Sequence, residues 1–112
     1  MQLISAVVRP FKVHDLCDAL QRFGFRGLTV SEVCGLADER APTEIYRGTT
    51  FYAVYQAYAR IEILAQDGDV ADLVDVIRAV TSTGRPGDGR VWTSRVRYLA
   101  RIRTGEVGID AL

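Results

Sequence analysis

The sequence predicts an α+β protein in which two helices cover one face of an antiparallel sheet. Two observations lead to this fold class. Apolar, β-branched runs typical of strands recur along the chain, and two stretches of helical periodicity follow the first and third of these runs. With 112 residues, the chain is expected to form a single domain over residues 1–112.

The first half of the chain predicts a strand, a helix and a second strand. The run "QLISAVVRP" is apolar and is bounded by Pro10. In "FKVHDLCDALQRFGF", Gly24 is placed to end a helix whose apolar residues recur at helical spacing: Val13, Leu16, Leu20 and Phe23. The stretch "GLTVSEVCG" alternates from Gly27 to Gly35 and predicts the second strand.

The second half repeats this plan. "ARIEILAQ" predicts the third strand, and Asp67 is a suitable N-cap for a helix over "GDVADLVDVIRAVTSTG", with Gly84 at its end. The buried stripe of this helix is predicted to be Val70, Leu73, Val74, Ile77 and Val80. "RVWTSRVRYLARIR" predicts one or two final strands. The order β-α-β-β-α-β is typical of a ferredoxin-like sandwich.

Such a sheet leaves one face without helices. Either Ile61 and Ile63, or else Leu64 and its neighbours, would then face water unless another subunit covered them. A closed oligomer built through the sheet faces is therefore expected.

A long insertion separates the second and third strands. A hairpin needs about 2–5 residues, whereas residues 37 to about 54 intervene here. Long loops in small domains are usually functional. This one ends in "PTEIYRGTTFYAVYQAY", which holds four of the five tyrosines, and tyrosine is enriched at protein interfaces.

The overall composition argues against several classes of protein. The formal net charge is zero, which suggests neither a nucleic-acid binder nor a membrane-surface binder. No apolar run approaches the ~20 residues of a membrane span, and Met1 leads directly into a strand-like run without a basic leader. A cytoplasmic protein with no direct membrane insertion is expected. The two cysteines lack metal-ligand spacing, so no metal site is predicted.

Arginine is concentrated near the end of the chain. Thirteen of the 14 basic residues are arginine, and residues 85–112 carry six arginines against three acids, a net charge of +3. A GC-rich genome would also favour arginine. The planar guanidinium nevertheless suits phosphate and carboxylate ligands, so an anion site is expected in this third of the chain.

Two motifs lie in this basic region. The three glycines of "TGRPGDGR", residues 83–90, suit either a phosphate-binding nest or a plain turn between a helix and a strand. Arg101 and Arg103 are two residues apart, which on a strand places both side chains on one face. With Arg90 they would form either a phosphate clamp or a solvated strand face.

No catalytic constellation is visible in the sequence. His14 falls on the polar side of the first predicted helix, and neither cysteine has a partner suited to nucleophilic catalysis. The sequence therefore predicts a protein that is not an enzyme and has no catalytic residues.

The chain resembles the PII signal-transduction family over essentially its whole length. The resemblance rests on "SAVVRPFKVHDLCDAL", "GLTVSEVCG", "TEIYRG" and "ARIEI", and above all on "TSTGRPGDGRVW" followed by "RIRTGE". It implies a homotrimer with three nucleotide sites between subunits and a long T-loop that docks on a target protein. Such targets are membrane transporters, which would recruit the protein to the membrane, or cytoplasmic enzymes and regulators. The effectors are ATP, ADP and often 2-oxoglutarate.

The resemblance also implies roles for individual residues. The phosphate loop would comprise Gly87, Asp88, Gly89 and Arg90, with further phosphate contacts from Arg101 and Arg103. The adenine and ribose part of the cleft would be lined by Thr29, Gly35, Glu62, Leu64 and Thr83. The T-loop would span residues 37 to about 55, with target contacts from Tyr46, Arg47, Phe51 and Tyr52.

Three departures from the family pattern affect these implications. Ala37, Asp38 and Glu39 replace the usual glycine, arginine and glutamine, so a residue that holds nucleotide is lost and Mg²⁺ binding rests on Glu39. Tyr58 replaces the lysine that pairs with 2-oxoglutarate, and Phe51 replaces the tyrosine that is uridylylated.

The resulting hypothesis is an ATP- or ADP-sensing regulator without uridylylation and with impaired 2-oxoglutarate sensing. The alternatives are a PII-like sensor of another metabolite such as bicarbonate, a regulator of another ion transport system, and a weak ATPase.

Overall fold

The computed structural model describes residues 1–25, 27–35, 42–46, 49–52 and 55–112, with backbone alone for 42–46 and 49–52. Two helices, α1 (Val13–Phe23) and α2 (Val70–Thr81), accompany six strands. The strands are β1 (Gln2–Val8), β2 (Thr29–Gly35), β3 (Pro42–Tyr46), β4 (Thr49–Tyr52), β5 (Gln56–Ala65) and β6 (Gly89–Arg95).

Four of the strands form one antiparallel sheet in the order β2-β5-β1-β6. The central strand β1 pairs along its length with β5 and β6, and β5 pairs with β2. Helix α1 follows β1 and helix α2 follows β5, as the apolar pattern predicted. The ferredoxin-like fold class is therefore confirmed.

The core lies between the two helices and one face of this sheet. Leu16 and Leu20 of α1 and Leu73 and Ile77 of α2 are fully buried. They pack against alternate sheet residues, namely Ile4, Ala6, Val8, Ala59, Ile61, Ile63 and Ala65. Burial of each large side chain contributes about 1.5–3 kcal/mol, so this layer supplies most of the stability.

The sheet face without helices is the one that carries Leu64. Ile61 and Ile63 are buried beneath the helices, so the second of the two predicted arrangements is observed. Since successive side chains alternate across a strand, this open face also carries Ser5, Tyr58 and Trp92. Trp92 remains 42 % exposed there.

The helix ends differ in part from the prediction. Gly24 adopts the left-handed conformation expected of a helix C-cap, with φ 96°. Helix α2 instead ends at Thr81, before Gly84, because Ser82 is already extended. Asp67 does not cap α2; it lies in a short 3₁₀ turn, Asp67–Asp69, and its carboxylate pairs at 3.0 Å with the amino group of Met1.

Two predicted segments have a different secondary structure. Within the region predicted as a loop, β3 and β4 form a two-stranded antiparallel hairpin. At the other end of the chain, β6 is the only strand described after α2. Residues 101–105 form a turn in which the Gly105 amide donates to the Arg101 carbonyl at 2.9 Å.

The helices α1 and α2 have 11 and 12 residues. Within the described ranges, no helix is both long and apolar enough to cross a membrane.

Candidate functional site

The glycine-rich segment between α2 and β6 is organised around the Asp88 carboxylate. One carboxylate oxygen accepts hydrogen bonds from the amides of Thr83, at 2.7 Å, and Gly84, at 3.1 Å. The other accepts from the Thr83 hydroxyl and from Nε of Arg9, the latter at 3.0 Å. The segment is therefore a folded loop, which we call the glycine loop (residues 83–89).

Strand β1 holds the end of this loop at very close range. A Cβ atom placed on Gly89, which has φ 105°, would lie 1.7 Å from the carbonyl oxygen of Val7. Only glycine fits here, since the contact is with backbone that cannot move aside. Gly87 also has a positive φ, 89°.

The glycine loop presents unbonded amides at its tip. Within the described part of the chain, the amides of Gly87 and Asp88 make no hydrogen bond to the protein. Arg90 follows directly in the sequence and is exposed. Consecutive amides beside a guanidinium can bind an anion, as in backbone nests.

The hydrogen bonds of the loop also determine the protonation of Asp88. Those from the Thr83 hydroxyl and amide, and then that from Arg9, hold the pKa of the Asp88 carboxyl well below its usual range. The carboxylate points at the loop rather than outward. The carboxylate therefore contributes to the geometry of the loop.

Lowering the pH is expected to leave Asp88 ionised well after an ordinary aspartate has protonated. Because the pKa is depressed on folding, the stabilisation is fully present above the unfolded value of about 3.9 and is lost only as the pH falls through the lower folded value. A ¹³C titration of the aspartate carboxyls checks this. In a Thr83→Val variant, which lacks the hydroxyl, the Asp88 resonance should titrate at higher pH; an unchanged midpoint would contradict the assignment.

A cavity of about 360 Å³ adjoins the glycine loop on the open face of the sheet. It is lined by Val7, Gly35, Tyr58, Gly87, Gly89, Arg90 and Trp92. The Tyr58 ring lies so close to Gly35 that a Cβ there would be 3.1 Å from it. Its hydroxyl is 3.4 Å from Oε1 of Gln56, and the residue is almost fully buried. Tyr58 therefore fills the base of this cavity, which we call the loop-side cavity.

A second cavity of about 870 Å³ lies at the other end of β5, and we call it the tail-side cavity. Its lining includes Thr29, Glu62, Leu64, Arg101 and Leu112. The Arg101 guanidinium donates to the carbonyl oxygens of Ala111, at 3.2 Å, and Leu112, at 2.7 Å. Apolar walls with two carboxylates, Glu62 and Asp69, and one guanidinium suit a flat polar ring attached to an anionic group.

The residues predicted to contact nucleotide are thus divided between two places. Thr29, Glu62, Leu64 and Arg101 line the tail-side cavity, whereas Gly35, Gly87, Gly89 and Arg90 line the loop-side cavity. In the strand register, Thr29 pairs with Glu62 and Gly35 pairs with Gln56. On β5, Tyr58 of the loop-side cavity and Glu62 of the tail-side cavity lie four residues apart, about 13 Å along the strand. The two groups of predicted residues therefore line separate cavities of one chain.

The prediction that Arg101 and Arg103 share a strand face is wrong. Both lie in the turn closed by Gly105, which has φ 74°. Arg103 is exposed and does not line either cavity. The alternation "RIR" resembles a strand, but the left-handed glycine reverses the chain before a second strand can pair.

Other predicted residues have a simpler account. His14 is 85 % exposed and pairs with Asp18 at 3.5 Å, as expected of a surface histidine. The backbones of Tyr46, Phe51 and Tyr52 lie in the β3–β4 hairpin. Four other predicted or divergent positions lie outside the described residues: Ala37, Asp38, Glu39 and Arg47. In the described ranges, no group of three or more metal-ligating side chains occurs.

Three side chains near the cavities were not anticipated from the sequence. These are Arg9, Arg60 and Trp92. Arg9 contacts the glycine loop. Arg60 pairs with Glu62 at 3.3 Å, and its guanidinium lies 5.7 Å from the centre of the Trp92 ring. The period-two pattern that places Arg60, Glu62 and Trp92 on the open face was available. No local signal linked Arg9 to residues almost eighty positions away.

Comparison with known proteins identifies the family of the chain. The profile of the family described as "Nitrogen regulatory protein P-II" matches residues 1–106. Proteins named nitrogen regulatory protein P-II from Rhizobium meliloti (strain 1021) and Mesorhizobium japonicum are 37% and 38% identical to the chain. One from Bradyrhizobium diazoefficiens is also 38% identical, and each match covers all of both chains. The chain therefore belongs to the P-II family of nitrogen regulatory proteins, whose members are signal-transduction regulators.

Proposed function

We propose that this protein is a regulator that senses ATP or ADP and controls a target protein through the segment between β2 and β5. The observation that carries the proposal is the glycine loop. Among the described residues, the amides of Gly87 and Asp88 have no hydrogen-bond partner, and Arg90 follows them in the sequence. Such an arrangement binds the oxygens of a polyphosphate without any catalytic group.

The nucleotide is proposed to bind between copies of the chain. The loop-side cavity supplies contacts for the phosphates, and the tail-side cavity supplies apolar walls and Glu62 for the adenine and ribose, with Arg101 as a further phosphate contact. Because the two groups of residues line separate cavities, one copy is proposed to contribute the first and a neighbour the second. A closed ring of three subunits would form three equivalent sites and would cover the open sheet face that carries Leu64 and Trp92.

The response to 2-oxoglutarate is proposed to be impaired. Tyr58, which stands where the family has a lysine, offers one hydroxyl and no positive charge, and its ring fills the base of the loop-side cavity. A dicarboxylate placed there would lose solvation without gaining an ion pair. At the base of the loop, Asp38 and Glu39 add negative charge that opposes the same ligand.

The target is proposed to be recognised by the β3–β4 hairpin region, with contacts from Tyr46, Arg47, Phe51 and Tyr52. Large aromatic side chains and arginine dominate the energetic centres of protein interfaces. Phe51 has no hydroxyl to accept a uridylyl group. Regulation is therefore proposed to depend on the bound ligand alone, with a membrane transporter or a cytoplasmic enzyme or regulator as the target.

Isothermal titration with ATP, ADP and AMP tests the nucleotide proposal. ATP and ADP should bind with similar enthalpy, and AMP should bind more weakly because it lacks the phosphates that reach the glycine loop. Absence of heat for all three would refute the proposal. Repeating the ATP titration with Mg²⁺ and 2-oxoglutarate should leave the affinity unchanged, and a marked increase would refute the claim of impaired sensing.

A second candidate function is a sensor of a different small anion such as bicarbonate. The observation that favours it is the altered pocket, in which Tyr58 lines the loop-side cavity in place of the family's lysine. A thermal-shift screen of metabolite anions with ADP present distinguishes the two functions. Extra stabilisation by one anion would favour this candidate, and none by any anion would favour the first.

A further inference from the structure

Arg9 makes the longest-range polar contacts described around the glycine loop. It follows directly after β1, and its guanidinium reaches residues 77 and 79 positions away in the sequence. Nε donates to Oδ1 of Asp88 at 3.0 Å, and Nη2 donates to the carbonyl oxygen of Pro86 at 2.7 Å. Arg9 thus binds the residues on both sides of Gly87.

The backbone of Arg9 is itself constrained. Pro10 follows it and favours an extended conformation at the preceding residue; the observed φ and ψ are −64° and 135°. The Arg9 carbonyl accepts from the Lys12 amide at 3.0 Å. Since Val8 pairs with Gly89 in the sheet, Arg9 leaves β1 beside the point where the loop enters β6. The side chain therefore starts from a fixed position.

The guanidinium also lies directly against Gly87. A Cβ on Gly87 would be 3.2 Å from Nη2 of Arg9. The Arg9 and Asp88 side chains are only 18% and 23% exposed, so solvent competes weakly for their ion pair. The partly buried, charge-assisted bond between Arg9 and Asp88 therefore holds the backbone that carries the Gly87 and Asp88 amides.

We propose that Arg9 is a positioning residue for polyphosphate binding. By bonding Asp88 and Pro86 at once, it keeps the Gly87 and Asp88 amides in the arrangement that receives the phosphate oxygens, with its Nε–H and one Nη2–H directed at the protein. The inference rests on the proposed nucleotide binding. A planar fork suits these two acceptors better than an ammonium group, so lysine at this position retains the effect only in part.

The test compares Arg9→Met and Arg9→Lys with wild type, using ATP and adenosine as ligands. The Met variant should bind ATP at least about tenfold more weakly, the equivalent of losing one charge-assisted bond. Its adenosine affinity should stay unchanged, because adenosine does not reach the loop. The Lys variant should fall between the two. An Arg9→Met protein with wild-type ATP affinity would overturn the proposal, as would equal losses for ATP and adenosine, which indicate general structural damage.

Arg85→Met is the matched control. Like Arg9→Met, it removes one positive charge near the Asp88 carboxylate's loop. Unlike Arg9, the Arg85 side chain has no hydrogen bond or ion pair in the described part of the chain. It should therefore weaken ATP binding much less than Arg9→Met. If the two variants lose equal affinity, net charge rather than positioning explains the effect.

A measurement without nucleotide separates this inference from the proposed function. Hydrogen exchange at the amides of Thr83 and Gly84, both bonded to Asp88, should be faster in Arg9→Met than in wild type. Unchanged exchange would overturn the positioning role even if ATP binds. If wild type fails to bind ATP while exchange accelerates, the nucleotide proposal falls and Arg9 remains an organiser of the loop.

Discussion

Replacing Gly89 by alanine is expected to lower the free energy of unfolding by at least about 3 kcal/mol and to abolish nucleotide binding. The added Cβ would lie 1.7 Å from the Val7 carbonyl oxygen, and the residue has φ 105°. Neither backbone can shift without breaking the β1–β6 pairing that carries the glycine loop. Urea unfolding followed by circular dichroism measures the first effect, and ATP titration of the variant measures the second.

Gly84→Ala provides the control for this prediction. Gly84 also has a positive φ, 78°, but no atom lies within 4 Å of the site of its Cβ. Only the conformational cost applies, about 1 kcal/mol, and the β1–β6 pairing stays intact. Equal destabilisation by the two substitutions would mean that the close approach to Val7 contributes nothing.

The sheet and its core could be predicted because burial imposes a period on each element. Leu16 and Leu20, or Leu73 and Ile77, recur at helical spacing because only one side of each helix contacts the sheet. The strands β1 and β5 could be predicted for the same reason, because one face of each strand is buried against the helices. The pattern could not decide which sheet face the helices cover, since Ile61 and Leu64 are both apolar and differ only in register.

The glycine loop was visible as a motif, but its internal bonding was not. Glycines at 87 and 89 predicted unusual backbone conformations, which the structure confirms with φ 89° and 105°. Asp88 was expected to belong to a phosphate loop, but the partners of its carboxylate, Thr83, Gly84 and Arg9, were not predicted. A sequence shows that an acid is present, but its partners depend on tertiary folding.

Two predictions from local sequence patterns were wrong: the strand face of Arg101 and Arg103, and the N-cap at Asp67. "RIR" alternates like a strand, but Gly105 turns the chain at φ 74°, so Arg101 points to the carbonyls of Ala111 and Leu112. Asp67 has the composition of an N-cap, but its carboxylate pairs with the Met1 amino group. In the first case a glycine two residues beyond the pattern determined the geometry, and in the second a contact distant in sequence did.

Mixing subunits of two variants that each bind ATP weakly, Arg90→Ala and Arg101→Ala, is expected to restore tight binding at some sites. Arg90→Ala removes a cation from the loop-side cavity and Arg101→Ala removes one from the tail-side cavity. Each variant alone should bind ATP about 10–100-fold more weakly, because a charge-assisted phosphate contact is lost from every site. Titration of each purified variant, with thermal unfolding to check the fold, measures this loss.

When the two variants are co-expressed with different tags and the mixed oligomers are purified, some sites are rebuilt. A site that takes its loop-side half from the Arg101→Ala chain and its tail-side half from the Arg90→Ala chain has both arginines. In a closed ring of three, every mixed oligomer has one such site, so about a third of the sites in the purified mixture should bind ATP with wild-type affinity. Mixing Arg90→Ala with a chain that carries both substitutions supplies no Arg90 and should restore nothing. If the first mixture also restores nothing although mixed oligomers are recovered, the two halves of each site belong to one chain, and the arrangement between copies is wrong.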